Sequence, residues 1–184
     1  MVDRVKFKNT EVSRLGLGTM RLPCKTPLKR EANPLIDYTK GQQLVDMAYR
    51  NGVNYFDTAY MYHQGKSEKF IGTALKKYPR DTYFLADKLP IWLCKSPKDM
   101  QKIFDEQLER TGIDCFDFYL LHSLDKENFE KCEQYKAYDF VKEKQAEGLI
   151  KNIGFSFHGT VDDLKKIIAS HDWDFAQIQM NYLD

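Results

Sequence analysis

Four side chains of unlike acidity stand at or just past the ends of apolar runs in the first two thirds of the chain. Asp57 follows Asn54-Tyr55-Phe56, Tyr62 lies in the loop beyond it, Lys88 closes the run that begins at Thr82, and His122 closes the run that begins at Phe116. A carboxylate, a phenol, an ammonium and an imidazole make an acid–base network. A phenol of ordinary pKa, about 10, donates its proton poorly at neutral pH, and a neighbouring ammonium lowers that value by stabilising the phenolate. Lys88 supplies such an ammonium, Asp57 would hold it charged and oriented, and His122 could hydrogen-bond a substrate oxygen beside the phenol. The set suits protonation of an oxygen as it gains negative charge, which is what hydride reduction of a carbonyl requires.

Other readings use the same residues. Singly, Asp57 reads as a turn or cap carboxylate, Lys88 as an exposed strand end and His122 as a packed core histidine. Tyr55 and Tyr60 compete with Tyr62 for the donor role. His63, His122 and His158 with Asp57 could ligate a metal in a hydrolase of the barrel class, although Lys88 has no place there and no metal is expected. Lys88 could instead form a Schiff base with a carbonyl substrate. The chain could also be a non-catalytic fragment that keeps the motifs. Gly16-Leu17-Gly18 is a weak phosphate signal, because the third glycine of a dinucleotide fingerprint is missing.

To meet in one crevice, the four residues must sit at the C-terminal ends of parallel strands, where α/β folds keep their active sites. Short apolar runs at 15–20, 54–59, 82–88, 116–122, 151–157 and 175–182 read as strands buried on both faces. Helical patterns lie between them. Residues 42–50 end at Asn51-Gly52, and Ser67 opens a helix that buries Phe70, Ile71, Ala74 and Leu75. Ser96-Pro97 caps a third helix, a charged helix covers 130–147, and a short one covers 161–169. This alternation predicts an α/β fold of (β/α)8 TIM-barrel type with about six βα units present. The expected organisation is a single domain over 1–184, incomplete at its C-terminus. Residues 5–12 read as a small hairpin or lid, and the proline-bearing stretch 21–40 as a cover for the crevice or a surface excursion.

Composition narrows the partners. A formal charge of +1, with Lys and Arg spread evenly, argues against nucleic acid or an anionic membrane and for a small neutral or mixed substrate. No run approaches the roughly 18 apolar residues of a membrane span, and the N-terminus lacks a signal-peptide core, so a cytoplasmic protein is expected. Cys24, Cys94, Cys115 and Cys132 are widely separated, with neither CxxC nor Cys–His ligand spacing, which predicts reduced thiols. Oligomeric state is not legible.

Phe56-Asp57-Thr58-Ala59-Tyr60-Met61-Tyr62, followed by Gly65-Lys66-Ser67-Glu68, resembles the aldo-keto reductase signature. Ala86-Asp87-Lys88 and Phe118-Tyr119-Leu120-Leu121-His122 are similar to that family's lysine and histidine strands. The stretch from Glu147 to Ser156 resembles its fifth-strand entry, and that from Leu15 to Met20 its first strand, so the likeness runs along essentially the whole chain. The resemblance implies reduction of an aldehyde or ketone with NADPH. Tyr62 would be the proton donor, Lys88 and Asp57 would tune it, and His122 would orient the carbonyl. It also implies NADP(H) contacts: Ser156 and Gln177 to the nicotinamide amide, Gly18, Thr19 and Met20 along its face, with Asp57 counted among them. Two positions depart from the family pattern, His63 where glycine is common and Phe157 where asparagine is common. The strings around Tyr62, Ser156 and Gln177 are similar to a branch whose members often carry a C-terminal ferredoxin-like iron–sulfur segment. Measured against the family's eight units, the resemblance implies that the last strands, the helix that meets the adenosine phosphate and the aromatic that stacks on the nicotinamide would fall outside these 184 residues. Weak NADPH binding, or none, is therefore expected of the isolated chain, and submicromolar affinity in a fluorescence titration would count against it.

Overall fold

Runs that are apolar on both faces become the strands of one sheet, and the segments of helical period become the helices between them. The computed structural model describes residues 1–25 and 35–180. A hairpin comes first, β1 (Arg4–Phe7) against β2 (Thr10–Ser13). Then follow β3 (Gly16–Gly18), β4 (Tyr55–Asp57), β5 (Phe84–Leu89), β6 (Phe116–Leu124), β7 (Ile150–Phe157) and β8 (Phe175–Ile178), which lie in the sheet in chain order. The pairings β3–β4, β4–β5, β6–β7 and β7–β8 are parallel. The helices are α1 (Tyr38–Arg50), α2 (Ser67–Leu75), α3 (Lys98–Thr111), α4 (Lys126–Tyr135), α5 (Ala137–Ala146) and α6 (Val161–Ser170). All six expected strands are found, and strand followed by helix repeats from β3 to α6, the order of a (β/α) barrel chain. Among the described residues, no helix is long and apolar enough to cross a membrane.

The chain divides into two compact units. The first is Met1–Ala86 with Gln107–Ile113, and the second is Asp87–Glu106 with Asp114–Asp184.

In the first unit, Phe56, Phe70, Ile71, Leu75 and Leu85 are buried together. Each such side chain contributes about 1.5–3 kcal/mol of transfer free energy. α1 starts at Asp37, whose carboxylate accepts the Lys40 N–H at 3.1 Å. It packs on α2 through Gly41, where a Cβ would stand 2.6 Å from the Phe70 ring. The hairpin is fastened by Asn54, whose side chain accepts the Ser13 N–H at 2.8 Å and donates to the Glu11 carbonyl at 2.9 Å. Asn54 precedes β4, so the hairpin sits at the N-terminal end of that strand, opposite to Asp57. It is not a lid on the end that carries the candidate residues. Both stems of the stretch 21–40 pair with each other: the Lys25 N–H donates to the Leu35 carbonyl at 2.9 Å and the Asp37 N–H to the Pro23 carbonyl at 2.8 Å. Its tip, 26–34, lies outside the described residues, as do 181 and 182 of the strand expected at 175–182.

In the second unit, the core is built on edge-to-face aromatics. Phe104 lies 5.8 Å from Phe116, 5.2 Å from Tyr119 and 6.1 Å from Phe140. The Asp99 carboxylate caps α3 by accepting the N–H groups of Lys95 at 2.7 Å and Ser96 at 2.8 Å. The single helix expected over 130–147 is two helices. Lys136 adopts the left-handed conformation, φ 55° and ψ 44°, and its N–H bonds back to the carbonyls of Cys132 and Glu133. α4 thereby ends and α5 starts afresh.

Candidate active site

In the first unit, the site is built around the end of β4. Asp57 is the last residue of that strand, in register with Gly18, the last of β3. The Asp57 carbonyl accepts both the N–H and the hydroxyl of Thr19, each at 2.9 Å. The Thr19 oxygen in turn accepts from the Ser67 hydroxyl at 2.6 Å, and Ser67 meets the Thr58 hydroxyl at 2.9 Å. Thr19, Thr58 and Ser67 are fully buried, and the chain of hydroxyls lets each one find a partner. Ser67 thus opens α2 without capping it, its hydroxyl turned inward to the strand ends.

Tyr62 begins a short 3₁₀ turn, Tyr62–Gly65, its N–H donating to the Ala59 carbonyl at 3.0 Å. His63 (φ 50°), Gln64 (φ 57°) and Gly65 (φ 79°) then follow in the left-handed region. That conformation costs about 1–2 kcal/mol for each residue with a side chain. Contacts hold it in place. His63 Nε2 accepts the Leu22 N–H at 3.1 Å, and Cys24 Sγ lies 3.8 Å from His63 Nδ1. Burial lowers the His63 pKa below the usual imidazole value, with backbone hydrogen bonding at Thr19 and Met20 pulling the other way. Beyond the turn, Arg110 donates to Glu68 at 2.9 Å and to the Tyr60 hydroxyl at 3.3 Å, its guanidinium 4.3 Å from the centre of the Tyr60 ring. Tyr60 is therefore engaged in packing. Burial, followed by the Asp57 charge, pushes the Tyr55 phenol well above its ordinary range, which makes it a poor acid. Met20 is exposed.

In the second unit, Lys88 is buried near the end of β5, and its N–H donates to Asp87 Oδ1 at 2.8 Å. His122 lies where β6 slips register against β7, between Leu121 and Leu124. The slip is a bulge of the kind that redirects side chains beside active sites. Ser123 takes φ 55° there, and its backbone is held from both sides: Ser156 Oγ accepts its N–H at 2.7 Å and Asn128 Nδ2 donates to its carbonyl at 2.9 Å. Burial, then the positive charge of Lys88 and the neighbouring His158, lower the His122 pKa to about 3, so its imidazole is neutral at neutral pH. The Trp92 ring lies 5.0 Å from the His122 ring. Ser156 and Gln177 are paired in register across β7 and β8, with Gln177 exposed.

The sequence-predicted residues are divided between the units, Asp57 and Tyr62 in the first, Lys88 and His122 in the second. Gly18, Asp57, Lys88, His122, Ser156 and Gln177 each fall within the last three positions of their strands. The anchoring roles of Arg110, Ser123 and Asn128 and the tilted ring contact of Trp92 with His122 carry no sequence signal, because each depends on a fold contact rather than on spacing. The described residues gather no group of three or more His, Cys, Asp or Glu placed to hold a metal ion, which leaves the metal-hydrolase alternative without support.

Known proteins resemble this chain in sequence and fold. The chain is 29% identical over 206 residues to the NADH-specific methylglyoxal reductase of Escherichia coli strain K12, covering 100% of this chain and 60% of that protein. It is 29% identical over 163 residues to an aldo-keto reductase of Gibberella moniliformis, covering 85% of this chain and 46% of that one. An aldo-keto reductase structure from Bacillus halodurans has the same fold, with a TM-score of 0.76 at 24% identity over 98% of this chain and 58% of its own. The chain spans about half the length of the curated relatives it matches. Residues 14–184 match the aldo/keto reductase family as a whole, and the chain belongs to that family.

Proposed function

We propose that the chain carries the catalytic residues of a nicotinamide-dependent oxidoreductase that reduces an aldehyde or ketone to an alcohol. The reading is carried by the position of the motif residues: Asp57, Lys88 and His122 each fall within the last three positions of their own strands, and Tyr62 lies in the turn that follows β4. Tyr62 is the proton donor, Asp57 and Lys88 tune it, and His122 orients the carbonyl. The state of His122 supports this division of labour. A neutral imidazole donates a hydrogen bond but is no proton source at neutral pH, which leaves the acid role to the phenol. As the carbonyl oxygen gains charge, the Tyr62 hydroxyl passes its proton to it, and Lys88 stabilises the phenolate left behind.

The hydride comes from reduced nicotinamide when it is bound. The residues offered to that group suit an amide. The Ser156 oxygen already accepts from Ser123, so its own proton is left to donate, and Gln177 stands beside it with an exposed carboxamide. Gly18, Thr19 and Met20 would line the ring face, where a Cβ at Gly18 would meet nothing within 4 Å. NADP(H) is the cofactor that the motif resemblance favours. The name of the E. coli relative makes NADH its competitor and methylglyoxal a test substrate.

The test is carbonyl reduction by the chain and by its Tyr62→Phe variant, with both nucleotides and with methylglyoxal and an aromatic aldehyde as substrates. Loss of general acid catalysis lowers kcat by about 10²–10⁴-fold. A Tyr62→Phe variant that turns over at the parent rate would remove Tyr62 from the role.

A further inference from the structure

The turn that carries Tyr62 adopts a backbone its own sequence resists. His63 and Gln64 both have positive φ, and only Gly65 takes that region without strain. Something outside the turn must fix it. The internal hydrogen bonds, from the Gln64 N–H to the Met61 carbonyl at 3.1 Å and from the Lys66 N–H to the His63 carbonyl at 3.3 Å, close the turn but attach it to nothing else. One attachment is the His63 ring, which reaches 41 residues back along the chain to the Leu22 N–H. Leu22 is a firm anchor because its own side chain is buried in the first unit's core. Its segment leaves β3 immediately after Gly18, Thr19 and Met20.

The geometry points to His63 as a positioning residue: by accepting the Leu22 N–H, its imidazole ties the peptide that follows Tyr62 to the chain leaving β3. The inference rests on Tyr62 being the proton donor. His63 touches neither proton nor substrate in this account. It sets where the phenol stands relative to the segment proposed to line the nicotinamide. Without the acceptor, the strained turn loses this tie to the chain leaving β3, and a displacement of about 1 Å at a reacting group can lower turnover by about 10²-fold.

Three variants of the chain separate this role from simple packing. His63→Phe keeps the ring bulk and removes the acceptor. His63→Gln places an amide oxygen near the position of Nε2, and the adjacent Gln64 shows that glutamine is accommodated at positive φ in this turn. His63→Gly removes both the strain and the acceptor, and decides the matter if the phenylalanine variant does not fold. The readouts are kcat and KM for carbonyl reduction and hydrogen exchange at the Leu22 amide. His63→Phe and His63→Gly are expected to lower kcat at least about 10-fold, with KM for the carbonyl within about 3-fold, and to speed Leu22 exchange. His63→Gln is expected to restore both. Unchanged kcat and Leu22 protection in His63→Phe, or His63→Gln falling as far as His63→Phe, overturns the proposal. If the parent chain reduces no carbonyl with either nucleotide, the reductase reading fails separately, while Leu22 exchange across the three variants still decides whether His63 is the anchor.

Discussion

A buried hydroxyl is stable only when its proton and its lone pairs both find partners, and Thr58, Ser67 and Thr19 meet this by forming a chain of hydrogen bonds. Thr58 meets Ser67, Ser67 donates to Thr19, and Thr19 donates to the carbonyl of Asp57. The chain ends on the backbone of a proposed catalytic residue, so its integrity bears on where β4 ends. Ser67→Ala removes the middle link, and leaving buried partners unsatisfied costs about 1–3 kcal/mol. Removing a second partner is cheaper than stranding it. Thr58→Val introduced on the Ser67→Ala background is therefore expected to add less destabilisation than Thr58→Val alone, measured as a double-mutant cycle in urea. Simple additivity of the two losses would show that the hydroxyls act independently. Ser156 works on the same principle at the bulge in β6, where its oxygen gives the Ser123 N–H the partner that the slipped strand cannot supply.

The elements of this chain follow from apolar pattern where they are regular, and escape it where one residue departs from its neighbours. Lys136 is such a residue, because nothing about a lysine within the amphipathic stretch 130–147 announces φ 55°. A single left-handed side chain costs about 1–2 kcal/mol, and glycine adopts the region freely. Lys136→Gly is therefore expected to be neutral or to stabilise by up to about 1 kcal/mol, while Lys136→Val destabilises, since a β-branched residue fits that region worst. Thermal unfolding of the two variants checks the sign, and a loss of stability with glycine would argue for one continuous helix. The six strands were legible because runs such as Phe118-Tyr119-Leu120-Leu121 are apolar on both faces, and burial on both faces leaves few other structures open to them. The positions of Asp57, Lys88 and His122 at strand ends were legible for the same reason. The anchors were not. His63 and Leu22 are 41 residues apart and Arg110 and Glu68 are 42 apart, and no local pattern records a contact that only the fold creates.

Across the whole molecule, 28 Lys and Arg nearly balance 27 Asp and Glu, so general charge repulsion is small near neutrality and local titrations govern how stability changes with pH. The group that departs furthest in the mildly acidic range is His122, lowered from 6.5 to about 3 by burial first and by the Lys88 charge second. Below pH 6.5 the unfolded chain takes up a proton there that the folded chain refuses. Stability is thus full above that pH and falls as pH drops towards 3, by at most about 1.4 kcal/mol per pH unit for one such group. His63, also lowered by burial, acts in the same direction. Asp46 has the same sign but a later window. Its hydrogen bond from Lys77 holds its pKa at about 2 against an ordinary 3.8, so its contribution is lost only below 3.8. The expected curve has two stages, a decline that begins near pH 6.5 and belongs to histidine, and a second that begins near 3.8 and belongs to carboxylates. Urea unfolding of the chain and of His122→Gln as a function of pH resolves them. The variant should keep the acid stage and lose most of the earlier slope, retaining only the share due to His63. A parent chain whose stability stays flat as pH falls from 6.5 to 3.8 would mean that His122 is protonated in the fold, and would return it to the set of possible proton donors beside Tyr62.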